Sequence, residues 1–483
     1  MAFSRGTILK SFLWKLFERT STQLIQFVVT IVLARLLLPA EYGTVALITV
    51  FIALCDVIID GGLNTALIQK KNADNLDFST IFFFSLGIAV LLYVTMFLGA
   101  PLIANFYHQQ DLVLIIRVLS LSLFFYSFNS IQRAYVSKNM LFQRLFYSSL
   151  GAIILSGAIG IFMAYQGYGV WALVAQNISS QMFATIIMWF TVRWRPEFRF
   201  SRERFKILFD FGWKIFGANF ITTLFVNMRK LLIGKFYMPA SLAYYEKGEH
   251  FPSLLANNIF TSMQTILLPV LSESQDNRSN VKAMMRRSTK LSCFFIYPLM
   301  MFLIVSAKPF ILLLLTEKWI GAIPFVQILC ISYFFRPITI SNFEAIKALG
   351  YSGITLKLEI IKKVVDITIL AVSAMINVYA IAWGCVLYNL ICVFINLAPN
   401  KKLLNYGIKE QLIDATPTLL IALVMGVSVY WIQWLSLPNL IVLVLQVIFG
   451  TMVYLGVSHL TKDESYLYLI QMLKNNKHRF HLK

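Results

Sequence analysis

Residues 213–250 read WKIFGANFITTLFVNMRKLLIGKFYMPASLAYYEKGEH, and they repeat a pattern already met near the start of the chain. Trp14-Lys15-Leu16-Phe17 returns as Trp213-Lys214-Ile215-Phe216. Ala34-Arg35-Leu36-Leu37-Leu38-Pro39-Ala40 returns as Gly234-Lys235-Phe236-Tyr237-Met238-Pro239-Ala240, and Thr65-Ala66-Leu67-Ile68 against Thr265-Ile266-Leu267-Leu268 keeps the same spacing. A Trp-Lys anchor and a Pro anchor joined by an apolar run predict two membrane helix hairpins of similar design. Charge distinguishes the second copy: Arg229, Lys230, Glu246, Lys247, Glu249 and His250 stand within or beside its apolar runs.

Composition sets the solvent. Of 483 residues, 58% are hydrophobic and 13% charged, and the mean hydropathy is +0.72. A soluble domain carries roughly 25% charged residues, so most of this chain belongs in lipid. The net charge of +20 does not point to nucleic acid, because the basic residues recur at alternate loops rather than on one patch. Cys55, Cys293, Cys330, Cys385 and Cys392 all lie in apolar runs without metal-ligand spacing and read as small buried side chains. Arg5, Lys10, Lys15 and Arg19 precede or enter the first apolar stretch, with no small-residue cleavage site after it, which predicts an uncleaved first span.

A helix needs about 20 mostly apolar residues to cross roughly 30 Å of hydrocarbon. Fourteen stretches meet that rule: 14–38, 44–68, 79–104, 112–136, 143–165, 169–192, 208–234, 241–268, 291–315, 323–349, 357–377, 379–398, 414–434 and 437–460. The first, second, seventh and eighth read as the least apolar, and their Gln23, Gln26, Asp56, Asp60, Asn219 and Asn227 predict a protein-lined interior. Lys and Arg gather at the N-terminus, at loops 69–78, 137–144, 193–206, 272–290, 350–363 and 399–411, and after 461. The exceptions are Arg35, Arg117, Arg229, Lys230, Lys235, Lys247, Lys308, Lys318 and Arg336. This alternation predicts an even number of spans with both termini cytoplasmic.

The expected organisation is an all-α polytopic membrane protein of about 14 spans. An N-lobe of six helices covers 1–192, a cytoplasmic interfacial linker 193–206, and a C-lobe of six helices 207–398. Two further helices cover 399–460 and an amphipathic cytoplasmic tail 461–483. Trp194, Phe198, Phe200 and Phe205 are expected to lay the linker on the inner membrane surface. Ala152, Ser156 and Gly160 form a ridge of small residues that lets helices approach, and Pro298, Pro337 and Pro417 kink or break their spans.

A charge at the bilayer centre costs about 2.5–3.5 kcal/mol on insertion scales, so it should face a cavity or a partner. Arg229 and Lys230 fall just before the outer end of the seventh span. Glu246 and Lys247 lie at similar depth in the eighth, with Glu249 and His250 one turn deeper. Arg336 is midway along the tenth span, Arg117 in the outer third of the fourth, and Asp366 near the middle of the eleventh. Together they predict a net cationic chamber. Its substrate-binding candidates are Arg229, Lys230, Lys247, Arg336 and Arg117, whose forked and point-charge donors suit a phosphate or pyrophosphate. Glu246, Glu249, Asp366 and His250 are open to two readings, ion coupling or pinning of the hairpin by pairs such as Arg229–Glu246 and Lys230–Glu249. The sequence holds no Walker loop, dinucleotide turn or paired-histidine motif. No metal, cofactor or catalytic residue is expected, beyond coupling to H+ or Na+ or to the membrane potential. Asp60-Gly61-Gly62 reads as a helix stop.

Ala34-Arg35-Leu36-Leu37-Leu38-Pro39-Ala40-Glu41-Tyr42-Gly43 resembles the signature of Wzx-type polysaccharide flippases of the multidrug/oligosaccharidyl-lipid/polysaccharide exporter superfamily. So do Gly61 to Gln69, Asp77-Phe78-Ser79-Thr80, Pro101 to Tyr107, Gly167 to Val174 and Trp194-Arg195-Pro196. The likeness is closest to the branch handling lipopolysaccharide, colanic and teichuronic acid precursors. It is dense over residues 1–200, recurs at Leu231 to Tyr245, and thins beyond about 300.

This resemblance implies two pseudo-repeated six-helix lobes in a V around a central cavity, with two C-terminal helices added. It also implies a non-enzymatic flippase in the bacterial inner membrane. Its substrate would be a polyprenyl-pyrophosphate-linked oligosaccharide, moved from the cytoplasmic to the outer leaflet, and its partners membrane lipid, a polysaccharide polymerase and assembly proteins. The branch commonly carries an acidic residue near the position of Arg229 or Lys230, from which this chain departs. A multidrug or cation exporter would favour an acidic, aromatic chamber, and a polysaccharide polymerase or ligase a large outer loop. A non-transporting scaffold would not need the buried charges.

Overall fold

The computed structural model describes residues 5–435 and 437–480; the end of the expected tail, 481–483, lies outside the described residues. It is all helix and turn among those residues. The helices are α1 (Arg5–Leu36), α2 (Pro39–Asp60), α3 (Leu63–Gln69), α4 (Asn75–Tyr107), α5 (Leu112–Leu119), α6 (Ser122–Lys138), α7 (Phe142–Tyr165), α8 (Val170–Thr191) and α9 (Arg202–Phe236). They continue as α10 (Pro239–Glu273), α11 (Arg278–Leu315), α12 (Ile323–Tyr333), α13 (Arg336–Ala348), α14 (Ser352–Ala374), α15 (Val378–Leu404), α16 (Ile408–Tyr430), α17 (Asn439–Leu460) and α18 (Glu464–Phe480). Short 3₁₀ turns occupy Glu317–Ala322 and Trp431–Trp434.

Every one of the predicted apolar stretches lies on helix, and 11 helical segments among the described residues are long and apolar enough to cross a membrane. The helices α1, α9 and α14 fall short of that composition. The expectation is corrected for α2, which is among the more apolar of these segments, and holds for α10, which is among the least. Instead α14 joins the polar set, because Lys357, Glu359, Lys362, Lys363 and Asp366 crowd it. The expected loop 272–290 is also largely helix, since α11 starts at Arg278. Lys282, Arg286 and Lys290 recur on one face of that helix and meet acids there. Lys282 pairs with Glu410 at 2.9 Å, Arg286 with Asp414 at 2.6 Å and Lys290 with Glu464 at 2.7 Å. The tail is helical as α18, whose Glu464 takes the last of these pairs.

The element order repeats. A long helix, a broken helix and two further helices (α4, α5–α6, α7, α8) are matched by α11, α12–α13, α14 and α15. The neighbours repeat as well: α5–α6 pack on α4 and α8, and α12–α13 pack on α11 and α15. The fourth span of each copy is interrupted, after Leu119 and after Tyr333. Pro337 at the start of α13 supplies the second break, since it withholds one backbone donor and clashes with the preceding turn.

The compact units are Met1–Ala243 and Tyr244–Lys483, so α9 packs within the first unit although the repeat begins with it. Glycine makes that packing close. On α2, a Cβ on Gly43 would stand 1.7 Å from the carbonyl oxygen of Pro239, the residue that opens α10. Between α2 and α3, a Cβ on Gly62 would stand 2.2 Å from the Gly212 carbonyl oxygen of α9. Gly61 and Gly62 have φ of 53° and 69°, so the predicted helix stop after Asp60 is realised as two left-handed residues. The small-residue ridge of α7 does what was expected. Ala152, Ser156 and Gly160 are buried, and a Cβ on Gly160 would come within 2.8 Å of Gln176 on α8.

The Asp77-Phe78-Ser79-Thr80 motif acquires a structural role. Asp74 caps α4 by accepting from the Asp77 amide at 3.0 Å, while Asp77 accepts from the Asp74 amide at 3.1 Å. This is a reciprocal capping box. Asp77 is fully buried and meets Lys70 at 2.7 Å and Arg204 at 3.3 Å. Burial acts to raise the Asp74 carboxyl, but the Asp77 amide and Arg204 outweigh it and hold it below the ordinary carboxylate value. A carboxyl depressed in this way adds stability above its unfolded value and loses it only as the pH falls through the folded one, so the cap is intact at neutral pH.

Ser79 and Thr80 hold the linker, accepting from the amides of Glu197 at 2.9 Å and Ser201 at 3.2 Å. Trp194 is not laid on a membrane surface. It is buried among Phe78, Phe82 and Tyr135, with its indole nitrogen donating to Asn75. Phe198 and Phe200 are the linker aromatics that stay outside, the first 94% exposed.

Replacing Gly43 or Gly62 with Ala should lower stability by about 2 kcal/mol or more, from overpacking and from left-handed strain. Gly87→Ala should be neutral, because a Cβ there meets nothing within 4 Å. Thermal unfolding of the three purified variants in detergent checks this, and equal midpoints would refute the close approach.

Candidate functional site

The predicted cations are placed differently in the two units. In the first, Arg229 and Lys230 are half-buried on the polar helix α9. Arg117 is taken up by α4: its Nε donates to the Phe97 carbonyl at 3.2 Å and its guanidinium lies 4.3 Å from the Phe97 ring. Lys235 likewise reaches α4, donating to the Phe106 carbonyl with its ammonium 4.1 Å from that ring. Both contacts let a long side chain keep its charge near a carbonyl while its stem packs on apolar surface.

In the second unit the cluster read at residues 246–250 divides by helical phase. Lys247 is 7% exposed and faces inward, its ammonium 5.8 Å from the ring of fully buried Trp319. Gly248 beside it presses on α12, where a Cβ would fall 2.4 Å from the Phe325 side chain. Glu249 turns outward and is exposed, as residues two apart on a helix must face different ways. Glu246 and His250 share an intermediate face one turn apart, and the His250 carbonyl accepts from Ser253 at 2.8 Å.

Arg336 opens α13 at the break in its span, half-buried. Its guanidinium lies 4.6 Å from the Phe260 ring and 5.1 Å from the Tyr333 ring. One of its nitrogens donates to Asn257 Oδ1 at 3.3 Å. Phe260 and Tyr333 stack on each other at 6.3 Å, so the arginine sits on a prepared aromatic surface. Glu249 lies within Coulombic range of the same Tyr333. This joins Arg336, Glu249, Asn257 and the two rings into one group. Asp366 belongs to another, between α14 and α15, within Coulombic range of Tyr388 and Cys392 and one turn from buried Lys362. Lys362 pairs with Glu359 and lies 4.4 Å from the Phe343 ring. The structure therefore groups Arg336 with Glu249 around Tyr333, and places Lys247 beside Trp319 and Asp366 near Tyr388 and Cys392.

Other polar groups escaped the sequence reading. Asn342 donates to Gln411 at 2.6 Å, Asn400 donates to Asn342 at 2.7 Å, and Tyr406 donates to Asp414 at 2.6 Å, all buried. This chain of bonds fastens α16 to α13 and α15. In the first unit Asn64, Asn129, Ser130 and Arg133 line a small pocket near Asp56 and Asp60. The four-residue spacing of Asp56, Asp60 and Asn64 was the signal available for it.

The described residues thus form an all-helical array with 11 candidate membrane spans, a repeated broken helix and half-buried cations. The comparisons narrow that description. Residues 32–324 match the model of the family described as polysaccharide biosynthesis protein, and the chain belongs to that family. It is 24% identical over 362 residues to the teichuronic acid biosynthesis protein TuaB of Bacillus subtilis, covering 74% of each chain. It is 24% identical over 329 residues to the succinoglycan biosynthesis transport protein ExoT of Rhizobium meliloti, covering 68% of this chain and 66% of that one. The fold is that of a lipid II flippase, MurJ, solved in an inward closed conformation. The TM-score is 0.74 at 17% identity, over 95% of this chain and 100% of that one. The resemblance to Wzx-type proteins of the polysaccharide exporter superfamily is borne out.

Arg336 can be tested apart from the fold, because its guanidinium is only half-buried. Arg336→Ala should weaken binding of a short-chain prenyl pyrophosphate to the purified protein by about tenfold, or about 1.4 kcal/mol. Arg336→Lys should fall between, keeping charge but losing the planar stack on Phe260 and Tyr333. Calorimetric titration measures both, and an unchanged affinity for the alanine variant would remove Arg336 from the site.

Proposed function

We propose that this protein is a flippase that moves a polyprenyl-pyrophosphate-linked oligosaccharide from the cytoplasmic to the outer leaflet of a bacterial inner membrane, by alternating access and without catalysis. The observation that carries the reading is Arg336: an arginine at a helix break inside the membrane, half-open and braced by two aromatic faces and one amide. Guanidinium in that setting offers paired donors to a pyrophosphate. Arg229 and Lys230, half-buried on the least apolar kind of helix, are the further cations of the path. Lys247 and Arg117 take packing roles in this reading, since Trp319 and the Phe97 carbonyl already engage them.

The driving force follows from the cargo's sign. Two negative charges leaving an inside-negative compartment of roughly 100 mV gain about 4–5 kcal/mol, at about 2.3 kcal/mol each. The potential alone can therefore bias export. Coupling to H+ or Na+ through Glu246, Glu249, Asp366 or His250 is the alternative drive. Both termini lie on the cytoplasmic side in this reading, where the basic loops concentrate, and a polysaccharide polymerase receives the exported lipid.

The test is translocation of a fluorescent lipid-linked oligosaccharide in proteoliposomes with an imposed potassium diffusion potential. Movement toward the positive side should accelerate as the potential grows, at equal pH and equal Na+ on both faces. The double variant Arg229→Ala/Arg336→Ala should move none while inserting normally. Transport that ignores the potential and persists in the double variant would sink the proposal.

A further inference from the structure

The first unit contains a pocket of about 150 Å³ that the cationic path does not use, lined by Asn64, Tyr126, Asn129, Ser130, Arg133 and Ser137. It sits where α6 meets the end of α2 and α3, on the side of the basic loops. Asn129 is 1% exposed, and neither its amide nitrogen nor its amide oxygen has a hydrogen-bond partner. Asn64 spends its nitrogen on Asp60 and Ser130, which leaves its oxygen unmet. One carboxylate oxygen of Asp56 is also buried and unmet. Arg133 is exposed at the rim, within Coulombic range of Asp56. A buried amide left unpaired on both its ends is costly, so such a group implies an occupant.

The donor and acceptor inventory selects the occupant's chemistry. A bare cation would satisfy the oxygens of Asn64 and Asn129 but would leave the Asn129 nitrogen facing like charge, with Arg133 beside it. A phosphate would suit Arg133 but would sit beside Tyr126, which lies within Coulombic range of the carboxylates of Asp56 and Asp60. A ring bearing adjacent hydroxyls suits all of them, because each hydroxyl both donates and accepts. Tyr126 adds an aromatic wall for the ring's C–H face. The volume equals that of about five water molecules at roughly 30 Å³ each, the scale of one sugar ring rather than a chain.

We propose that this pocket is a sugar-recognition subsite, in which Asn129 and Asn64, with Arg133 at the rim, hydrogen-bond neighbouring hydroxyls of one pyranose ring of the cargo. The proposal rests on the flippase reading and refines it: pyrophosphate recognition and sugar recognition use different residues of the chain. Specificity for one glycan over another then resides in Asn64, Asn129 and Arg133, while Arg336 is indifferent to the sugar.

The experiment compares two probes on the full-length purified protein: a short-chain prenyl pyrophosphate, and the same lipid carrying one hexose, drawn from a panel of common pyranoses. At least one hexose should tighten binding by tenfold or more over the bare lipid. Asn129→Leu, which keeps the bulk and removes the amide, should erase that increment. Arg133→Ala, at an exposed position, should erase most of it, and bare-lipid binding in each variant reports that it has folded. If the bare lipid binds and no hexose improves it, or if both variants retain the increment, the pocket holds only water and the subsite is refuted while the flippase reading stands. If the hexose increment is present and variant-sensitive but the pyrophosphate contributes nothing, the subsite stands and the reading of Arg336 fails. An increment produced by Na+ rather than by the hexose would assign the pocket to a cation and overturn the proposal.

Discussion

Hydrocarbon supplies neither hydrogen bonds nor counter-charge, so each polar group on a crossing helix has to be met by another part of the chain. That constraint orders this protein more than any single contact does. The helices run unbroken across the apolar zone except in the fourth span of each repeat, where α5 gives way to α6 and α12 to α13. A break at the same place in both copies, with an arginine at or near it each time, marks where the fold tolerates irregular backbone. In one copy the arginine is absorbed by the neighbouring helix at Phe97. In the other it rests half-open on Phe260 and Tyr333. The repeat thus holds one version of the feature engaged by a neighbouring helix and one that stays half-open.

The membrane faces are managed by a different kind of chemistry. Asp77 and Asp414 each gather two cations, Lys70 with Arg204 and Arg286 with Lys290. Each cluster sits where long helices end and a connecting segment must be held. Lys138 completes the first by donating to the carbonyls of Leu67, Ile68 and Lys70, the orphan acceptors at the end of α3. In these clusters both carboxylates are paired, whereas at the Asn129 pocket both ends of the amide are left over.

Much of the fold was legible because lipid imposes a one-dimensional rule: length and apolarity locate the spans, Gly61-Gly62 marks a stop, and Ala152, Ser156 and Gly160 mark a close approach. What the sequence reading misjudged was α14, which is too charged to qualify as a span and whose Lys362 pairs along the helix and with Phe343. What the sequence could not disclose were contacts between residues more than a hundred positions apart. Trp194 looks like an interfacial anchor until Asn75 and Phe78 are seen to receive it. Gly212 looks unremarkable until Gly62 is found against it. Of the charged candidates, the sequence located Arg336 by its depth. It could not tell which of Lys247 and Glu249, two residues apart, faces inward, because the packing of α10 on α12 at Gly248 fixes that phase.

The account turns on whether negative charge is what the buried cations hold. The direct measurement is the affinity of the purified protein for three lipids sharing one prenyl chain, ending in a hydroxyl, a phosphate or a pyrophosphate, each at low and at high salt. The account predicts that affinity rises with each added charge and that the rise shrinks as salt is added. Equal affinity for the neutral prenol and the pyrophosphate, insensitive to salt, would contradict it.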